Sequence, residues 1–161
     1  MKLSEYKFSF EVFHSIEELS SLDCLLLERA KEATVHAYAP YSKFRVAAAA
    51  QLSNGEIIVG TNQENASYPA GICAERVLLS TASALFPGTA IESIAITYLN
   101  ENGESNHPIS PCGICRQSLQ EYESRQNKAI PLILAGMSGH IYKIHQSSCL
   151  LPLAFTNDEL K

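Results

Sequence analysis

The chain has little positive charge and no long apolar run. Twelve lysine and arginine residues stand against 17 aspartate and glutamate residues among 161, so the net charge is −5 at pH 7. A mildly acidic protein without a basic cluster is a poor partner for nucleic acid or for an anionic membrane by bulk charge. No apolar stretch approaches the roughly 18 residues that a membrane span requires. The composition therefore predicts neither a nucleic-acid partner nor a membrane partner.

The sequence also has no internal repeat, no low-complexity tract and no linker rich in Pro, Gly or Ser. Its length fits one domain, at about 150 residues per unit. We expect an N-terminal extension over 1–20 and a single domain over 21–161. The first residues alternate polar and apolar side chains without the apolar core of a secretory signal, which predicts a cytoplasmic protein. The five cysteines are then expected to be reduced thiols or metal ligands rather than disulfides.

Helical and strand patterns alternate along the rest of the chain, which predicts an α/β domain. The alternation of Phe8, Phe10 and Val12 with polar residues indicates a short edge strand or an ordered arm. A capping box at Ser20 predicts a helix that ends near residue 38. Ser110 is expected to cap a helix over 111–123 that begins with a proline. The other predicted elements are strands over 44–52, 56–60, 93–99, 131–136 and 140–145, and a helix over 73–86.

A C-x-x-C pair opens the last predicted helix. Cys112 and Cys115 are three residues apart and so share one helix face, from which both can reach a common atom. The N-terminal end of a helix also favours the thiolate, which is the form that binds metal. Taken alone, the pair permits a metal site, a redox pair or a structural role, and a metal site is the interpretation we favour.

A second group of reactive side chains opens the preceding helix. Cys73 and Glu75 can both reach an ion beyond the end of that helix, because helical side chains lean towards the N-terminus. Thiolates from Cys73, Cys112 and Cys115 would leave one tetrahedral position of Zn²⁺ for water, as in a catalytic zinc site. Glu75 would then transfer protons. Arg76 would offset the excess negative charge of the thiolates.

The order of these residues resembles the zinc nucleobase-deaminase signature in its three-cysteine form. Cys73-Ala74-Glu75 is followed by Pro111-Cys112-Gly113-Ile114-Cys115. Over about residues 22–157 the chain resembles the homotetrameric cytidine deaminases of pyrimidine salvage. Four further stretches carry the resemblance: Tyr41-Ser42-Lys43-Phe44-Arg45-Val46, Asn62-Gln63-Glu64-Asn65-Ala66, Cys115-Arg116-Gln117 and Leu150-Leu151-Pro152-Leu153-Ala154-Phe155.

The resemblance implies a three-layer α/β/α fold, with helices on both faces of a mixed five-stranded sheet. It implies hydrolytic deamination of cytidine and 2′-deoxycytidine, with release of ammonia, by a homotetramer that holds one zinc ion per subunit. The implied zinc ligands are Cys73, Cys112 and Cys115, with Glu75 as acid and base.

The resemblance also implies the substrate contacts. Phe44 would pack against the base, and Asn62 and Glu64 would bind the ribose 3′-hydroxyl. The remaining implied substrate-binding residues are Ala74 and, near a neighbouring subunit's site, Ala66, Tyr68 and Phe155. The chain departs from the family at Ala47, where glycine is usual, and at Thr156-Asn157, where Gly-Pro is common.

Two other functions stay open at this stage. The chain could deaminate a related cytosine nucleoside of the blasticidin S type, although Asn62 and Glu64 favour a free ribose. It could instead be an interaction module with a structural zinc ion. That alternative requires a fourth protein ligand, such as Cys24, Cys149 or a histidine, and leaves Glu75 without a role.

Overall fold

Six β-strands form one mixed sheet in the computed structural model, which describes residues 1–160. In spatial order they run β1-β6-β5-β4-β2-β3. β4 and β5 are parallel neighbours, and the other neighbouring pairs are antiparallel. The strands are β1 (Glu11–Phe13), β2 (Phe44–Leu52), β3 (Ile57–Thr61), β4 (Ile91–Asn100), β5 (Leu132–Ala135) and β6 (Ile141–Ile144).

The strand at one edge comes from the N-terminal segment. β1 pairs antiparallel with β6, with Val12 opposite Tyr142. The sheet therefore has six strands, one more than the five expected. The five strands predicted downstream are all present, and the short alternating stretch near Val12 adds the sixth by covering the exposed edge of β6.

Three α-helices cover the two faces of the sheet. They are α1 (Ser21–Ala33), α2 (Ala74–Leu85) and α3 (Gly113–Gln126). Leu26 and Leu27 of α1 pack on one face, in a cluster with Ile133 of β5. Leu78 of α2 and Leu119 of α3 pack on the opposite face. This arrangement confirms the three-layer α/β/α fold. None of the helices in residues 1–160 combines the length and apolar character needed to cross a membrane.

Local signals set several element ends. The Ser20 side chain accepts a hydrogen bond from the Asp23 N–H at 3.2 Å, so the predicted cap of α1 is confirmed. Gly55, between β2 and β3, has φ of +89°, and its N–H donates to the Leu52 carbonyl at 2.9 Å. This positive φ explains why an Asn-Gly pair makes the hairpin turn.

The start of α3 differs from the prediction. The helix is capped by Cys112, which has an extended backbone with ψ of 170°, rather than by Ser110. The first helical hydrogen bond runs from the Arg116 N–H to the Cys112 carbonyl at 2.9 Å. The Pro111 carbonyl instead accepts from the Arg116 side chain, so Pro111 lies outside the helix. This shift places Cys112 at the helix entrance and not within the first turn.

A glycine in β3 allows α2 to approach the sheet closely. A Cβ atom on Gly60 would lie 2.4 Å from the Leu78 nitrogen and 2.5 Å from the Ala74 carbonyl oxygen. Both atoms belong to the backbone of α2, so any side chain at this position would push the helix away. Because Gly60 has no side chain, the first turns of α2, which follow Cys73, can pack directly against β3.

Candidate active site

The N-terminal ends of α2 and α3 meet at three cysteine side chains. Cys73 is the capping residue of α2, Cys112 is the capping residue of α3, and Cys115 lies in the first turn of α3. The Sγ atoms of Cys73 and Cys112 are 3.8 Å apart, and those of Cys112 and Cys115 are 3.5 Å apart. All three sulfur atoms lie within 4.8 Å of one another.

These distances fit a tetrahedral zinc ion. Zn–S bonds of about 2.3 Å at tetrahedral angles place two sulfur ligands about 3.8 Å apart. Within residues 1–160, no histidine, aspartate or glutamate ligand atom joins the three sulfur atoms in a cluster of this size. The donor set is therefore compatible with one zinc ion that keeps a coordination position open, which distinguishes a catalytic from a structural site.

The three thiols are not equivalent. Cys115 is fully buried, Cys73 is half-buried and Cys112 is exposed. The hydrogen bond that Cys115 makes to Cys73 lowers the pKa of Cys73 to about 6. The same interaction raises the pKa of Cys115, because Cys115 retains the proton, and burial adds to this effect. These interactions favour the thiolate form of Cys73, which is the form that binds metal.

A buried carboxylate lies beside the cluster. Glu75 is in the first turn of α2, two residues after Cys73, and is only 5% exposed. Burial raises the pKa of Glu75, and a hydrogen bond with Cys115 acts in the opposite direction. A carboxyl group whose pKa is raised in this way is suited to accept a proton and then return it.

Arg76 is the positive charge nearest to the cluster along α2. Together with Cys73 and Cys112 it lines an open groove of about 760 Å³. Its guanidinium group lowers the pKa of Cys73 by Coulombic attraction. The arginine is therefore in a position to offset the negative charge of the thiolates.

The groove joins the cysteine cluster to part of the implied substrate-binding set. Asn62, Glu64, Ala66 and Tyr68 line it. The structure does not place the other three implied residues along the same groove. These are Phe44, Ala74 and Phe155, which have different surroundings.

The two residues implied for ribose binding are held by backbone groups. Asn62 accepts a hydrogen bond from the Val46 N–H at 2.7 Å through Oδ1 and donates through Nδ2 to the Phe44 carbonyl at 3.0 Å. Glu64 accepts from the N–H groups of Tyr41 and Ser42 at 2.9 and 3.3 Å, both at Oε2. These bonds fix both side chains at the groove wall, and the carboxylate keeps further acceptor capacity.

The other implied residues vary in exposure. Phe44 is half-buried and stacks on Tyr98, with ring centroids 4.8 Å apart and an interplanar angle of 18°. Ala74 is fully buried. Tyr68 and Phe155 are 92% and 59% exposed, although the Phe155 carbonyl accepts a hydrogen bond from Gln117 Nε2 at 2.9 Å. The two exposed aromatic side chains have little contact within the subunit.

Sequence reasoning assigned no role to two features of the site. The Tyr41 and Ser42 backbone donors that orient Glu64 lie 23 and 22 positions away in the sequence, so no local pattern reveals them. The sequence identifies Arg116 only as part of the stretch Cys115-Arg116-Gln117. Its side chain donates to the carbonyl oxygens of Pro111 and Leu150 next to the cysteine cluster.

Comparison with known proteins agrees with this geometry. A family model described as "Cytidine and deoxycytidylate deaminase zinc-binding region" matches residues 20–129, which is more than half of the chain. The matched segment contains all three cysteines of the cluster and Glu75.

The matches with individual relatives cover nearly the whole length of each relative. The chain is 36% identical to the cytidine deaminase of Halalkalibacterium halodurans over 84% of this chain and 96% of the relative. It is 35% identical to the cytidine deaminase of Sporosarcina psychrophila, over 84% of this chain and 92% of that relative. A crystal structure of cytidine deaminase from Burkholderia pseudomallei superposes with a TM-score of 0.71 at 37% identity, covering 85% of this chain and 100% of that one.

Proposed function

The chain belongs to the family of cytidine and deoxycytidylate deaminases, and we propose that it catalyses the zinc-dependent hydrolytic deamination of cytidine and 2′-deoxycytidine to uridine and 2′-deoxyuridine, with release of ammonia. The observation that carries this proposal is the three-sulfur cluster of Cys73, Cys112 and Cys115, with the buried carboxylate of Glu75 beside it. A site with three protein ligands and an adjacent proton carrier fits hydrolysis better than structural zinc binding.

The three cysteines are the proposed ligands of one zinc ion per subunit. When bound, zinc lowers the pKa of a coordinated water molecule towards 7 and so provides a nucleophile at neutral pH. The cysteines contribute in two ways. The lowered pKa of Cys73 supports binding as a thiolate, and the two helix N-termini favour negative charge on Cys73 and Cys112.

Glu75 is the proposed acid and base. Its carboxylate would accept one proton from the attacking water and deliver it to N3 of the cytosine ring. It would then take the second proton of that water from the hydroxyl group added to C4 and transfer it to the amino nitrogen, so that the C4–N bond breaks and ammonia leaves. Burial supports this role, because the raised pKa of the carboxyl group brings its proton affinity closer to that of the groups it serves. Burial also limits exchange of that proton with bulk water. Arg76 would reduce the negative charge of the cluster.

The groove supports binding of a free nucleoside. Asn62 and Glu64 would hydrogen-bond the ribose 3′-hydroxyl, since the backbone bonds of both side chains fix their orientation and the carboxylate retains acceptor capacity. Phe44, which does not line the groove in the single subunit, is the proposed aromatic contact of the base, and its stacking on Tyr98 restricts its ring. Ala74 would contribute through its backbone, since its side chain is fully buried.

A homotetramer is the proposed assembly. Ala66, Tyr68 and Phe155 are exposed on the single subunit, which leaves them accessible for contacts to a neighbouring subunit's site. Pyrimidine salvage in the cytoplasm is the proposed setting. None of the five cysteines forms a disulfide bond, as expected in a reducing compartment.

The ultraviolet spectrum of cytidine tests this function directly. Zinc-loaded protein should convert cytidine to uridine, and Glu75→Gln should lower kcat by about 10²–10⁴-fold while zinc stays bound. Glu121→Gln, an exposed acidic residue on α3, is the matched control and should retain full activity. Zinc-loaded, folded protein that leaves cytidine unchanged but deaminates blasticidin S would identify the alternative substrate. Near-normal turnover by Glu75→Gln would contradict the proposed role of this residue.

A further inference from the structure

Arg116 connects two separate segments of the chain beside the cysteine cluster. Its Nε donates a hydrogen bond to the Pro111 carbonyl at 2.8 Å, and its Nη1 donates to the Leu150 carbonyl at 3.0 Å. The side chain is half-buried, and the residue follows Cys115 directly. A single planar guanidinium group therefore spans the loop before α3 and a segment near the C-terminus.

The Pro111 carbonyl belongs to the peptide group that joins Pro111 to Cys112. Fixing that carbonyl restricts the rotation of the peptide group and, through it, the direction of the Cys112 side chain. Cys112 depends on this restraint more than the other two cysteines, since it is exposed and lies at the helix entrance outside the first turn. Cys115, by contrast, is held within α3 and is fully buried.

The second partner of Arg116 belongs to a segment that is itself firmly attached to α3. We call residues 147–155 the C-terminal strap. Glu123 accepts hydrogen bonds from the N–H groups of Ser147 and Ser148, and Gln117 donates to the Phe155 carbonyl. Leu150 lies between these attached residues along the strap, so the strap braces the guanidinium group of Arg116 on one side while that group holds the Pro111 carbonyl on the other.

We propose that Arg116 is a positioning residue that, braced by the C-terminal strap, fixes the direction of the Cys112 thiolate for metal binding. This inference rests on the proposed function, because it takes the three cysteines as the zinc ligands. Arg116 does not line the groove, and its hydrogen bonds go to two backbone carbonyl groups. It acts through the backbone immediately before Cys112, as groups outside the ligand shell do when they orient a ligand.

Metal affinity and the ligand field are the measurements that test the proposal. In the full-length protein, Arg116→Met keeps an unbranched apolar stem but removes both donors. It should weaken zinc binding in competition with a chelator by about 10–100-fold and alter the visible absorption of the Co²⁺-substituted protein. Arg116→Lys retains the charge with a single donor group, so it should recover part of the affinity.

Two control variants separate positioning from general stability. Arg125→Met removes another arginine of α3, whose guanidinium lies over the Tyr122 ring, and should leave zinc affinity and the Co²⁺ spectrum unchanged. Gln117→Ala removes the attachment at Phe155 but keeps those of Ser147 and Ser148 to Glu123, which hold the strap near Leu150, so it should also leave the Co²⁺ spectrum unchanged. If Arg116→Met fails to fold, the zinc affinity and Co²⁺ spectrum of Arg116→Lys are compared with those of wild type to test the proposal.

The inference is wrong if the Arg116 variants keep wild-type zinc affinity and an unchanged Co²⁺ spectrum, including the case in which only their thermal stability falls. Failure of the proposed function looks different. In that case wild-type protein would bind no stoichiometric zinc, or Cys112→Ala would retain wild-type zinc affinity, before any Arg116 variant is considered.

Discussion

The Sγ atoms of Cys73 and Cys112 lie 3.8 Å apart although the residues are 39 positions apart in the sequence. Each is the residue immediately before a helix, Cys73 before α2 and Cys112 before α3. The partial positive charge of two helix N-termini therefore acts on the same pair of sulfur atoms and favours their thiolate forms. The metal-binding chemistry thus depends on how α2 and α3 pack against the sheet as much as on the cysteines themselves.

Cys115→Ser should abolish stoichiometric zinc binding. The hydroxyl group is a poor ligand for zinc, and the fully buried position of Cys115 leaves no room for another side chain to replace it. Zinc content measured by atomic absorption after gel filtration should fall from one ion per subunit to near zero, and cytidine deamination should be lost. Cys149→Ser is the matched control, since this half-buried thiol lies outside the cluster. Equal zinc content in the two variants would remove Cys115 from the ligand set.

Several features of the fold and the site could be predicted because their signals are local. The cap of α1 at Ser20, the Asn-Gly turn at Gly55 and the spacing of Cys112 and Cys115 all act within a few residues. The cap of α3 could not be predicted, since the Pro111 carbonyl accepts a hydrogen bond from the Arg116 side chain, which also donates to Leu150. The Glu64 contacts likewise join backbone groups 22 and 23 positions away. Such side-chain to backbone bonds leave no periodic pattern.

The edge strand illustrates a different limit. The alternating pattern near Val12 indicates an extended segment but does not specify which strand it joins. In the structure this segment covers β6, and Phe10 packs against Tyr142 with ring centroids 5.0 Å apart. Sequence alone could therefore predict the conformation of this segment but not its partner.

Acid should weaken the contribution of Glu64 to the groove. The hydrogen bond from the Ser42 side chain, followed by the Tyr41 and Ser42 N–H groups, lowers the pKa of Glu64 below its usual range. A carboxylate with a lowered pKa in the folded state stabilises that state above its unfolded pKa of about 4.3, and this contribution is lost as the pH falls through the folded value. The difference in unfolding free energy between wild type and Glu64→Gln should therefore shrink as the pH is lowered from 6 to 3.

Urea titrations at several pH values measure this difference. Glu56→Gln, an exposed acidic residue in the turn before β3, is the control and should show no comparable trend. If the difference in unfolding free energy between wild type and Glu64→Gln stays constant from pH 6 to 3, the loop at Tyr41 and Ser42 does not hold Glu64 in its charged form.

Removal of the Glu123 carboxylate should destabilise the protein strongly. Glu123 is 6% exposed, and its Oε1 accepts hydrogen bonds from the Ile130 N–H at 2.7 Å, the Ser147 N–H at 2.8 Å and the Ser147 hydroxyl at 2.9 Å. Glu123→Ala would leave the Ile130 N–H and the Ser147 hydroxyl buried without their acceptor, whereas the Ser147 N–H also donates to the Ile130 carbonyl at 3.0 Å. The expected cost is on the order of 3 kcal/mol. Urea unfolding measures this loss. Glu121→Ala, an exposed residue on the same helix, should change stability by less than about 0.5 kcal/mol. Similar stabilities for the two variants would mean that water replaces the carboxylate and that the attachment of the C-terminal strap does not depend on Glu123.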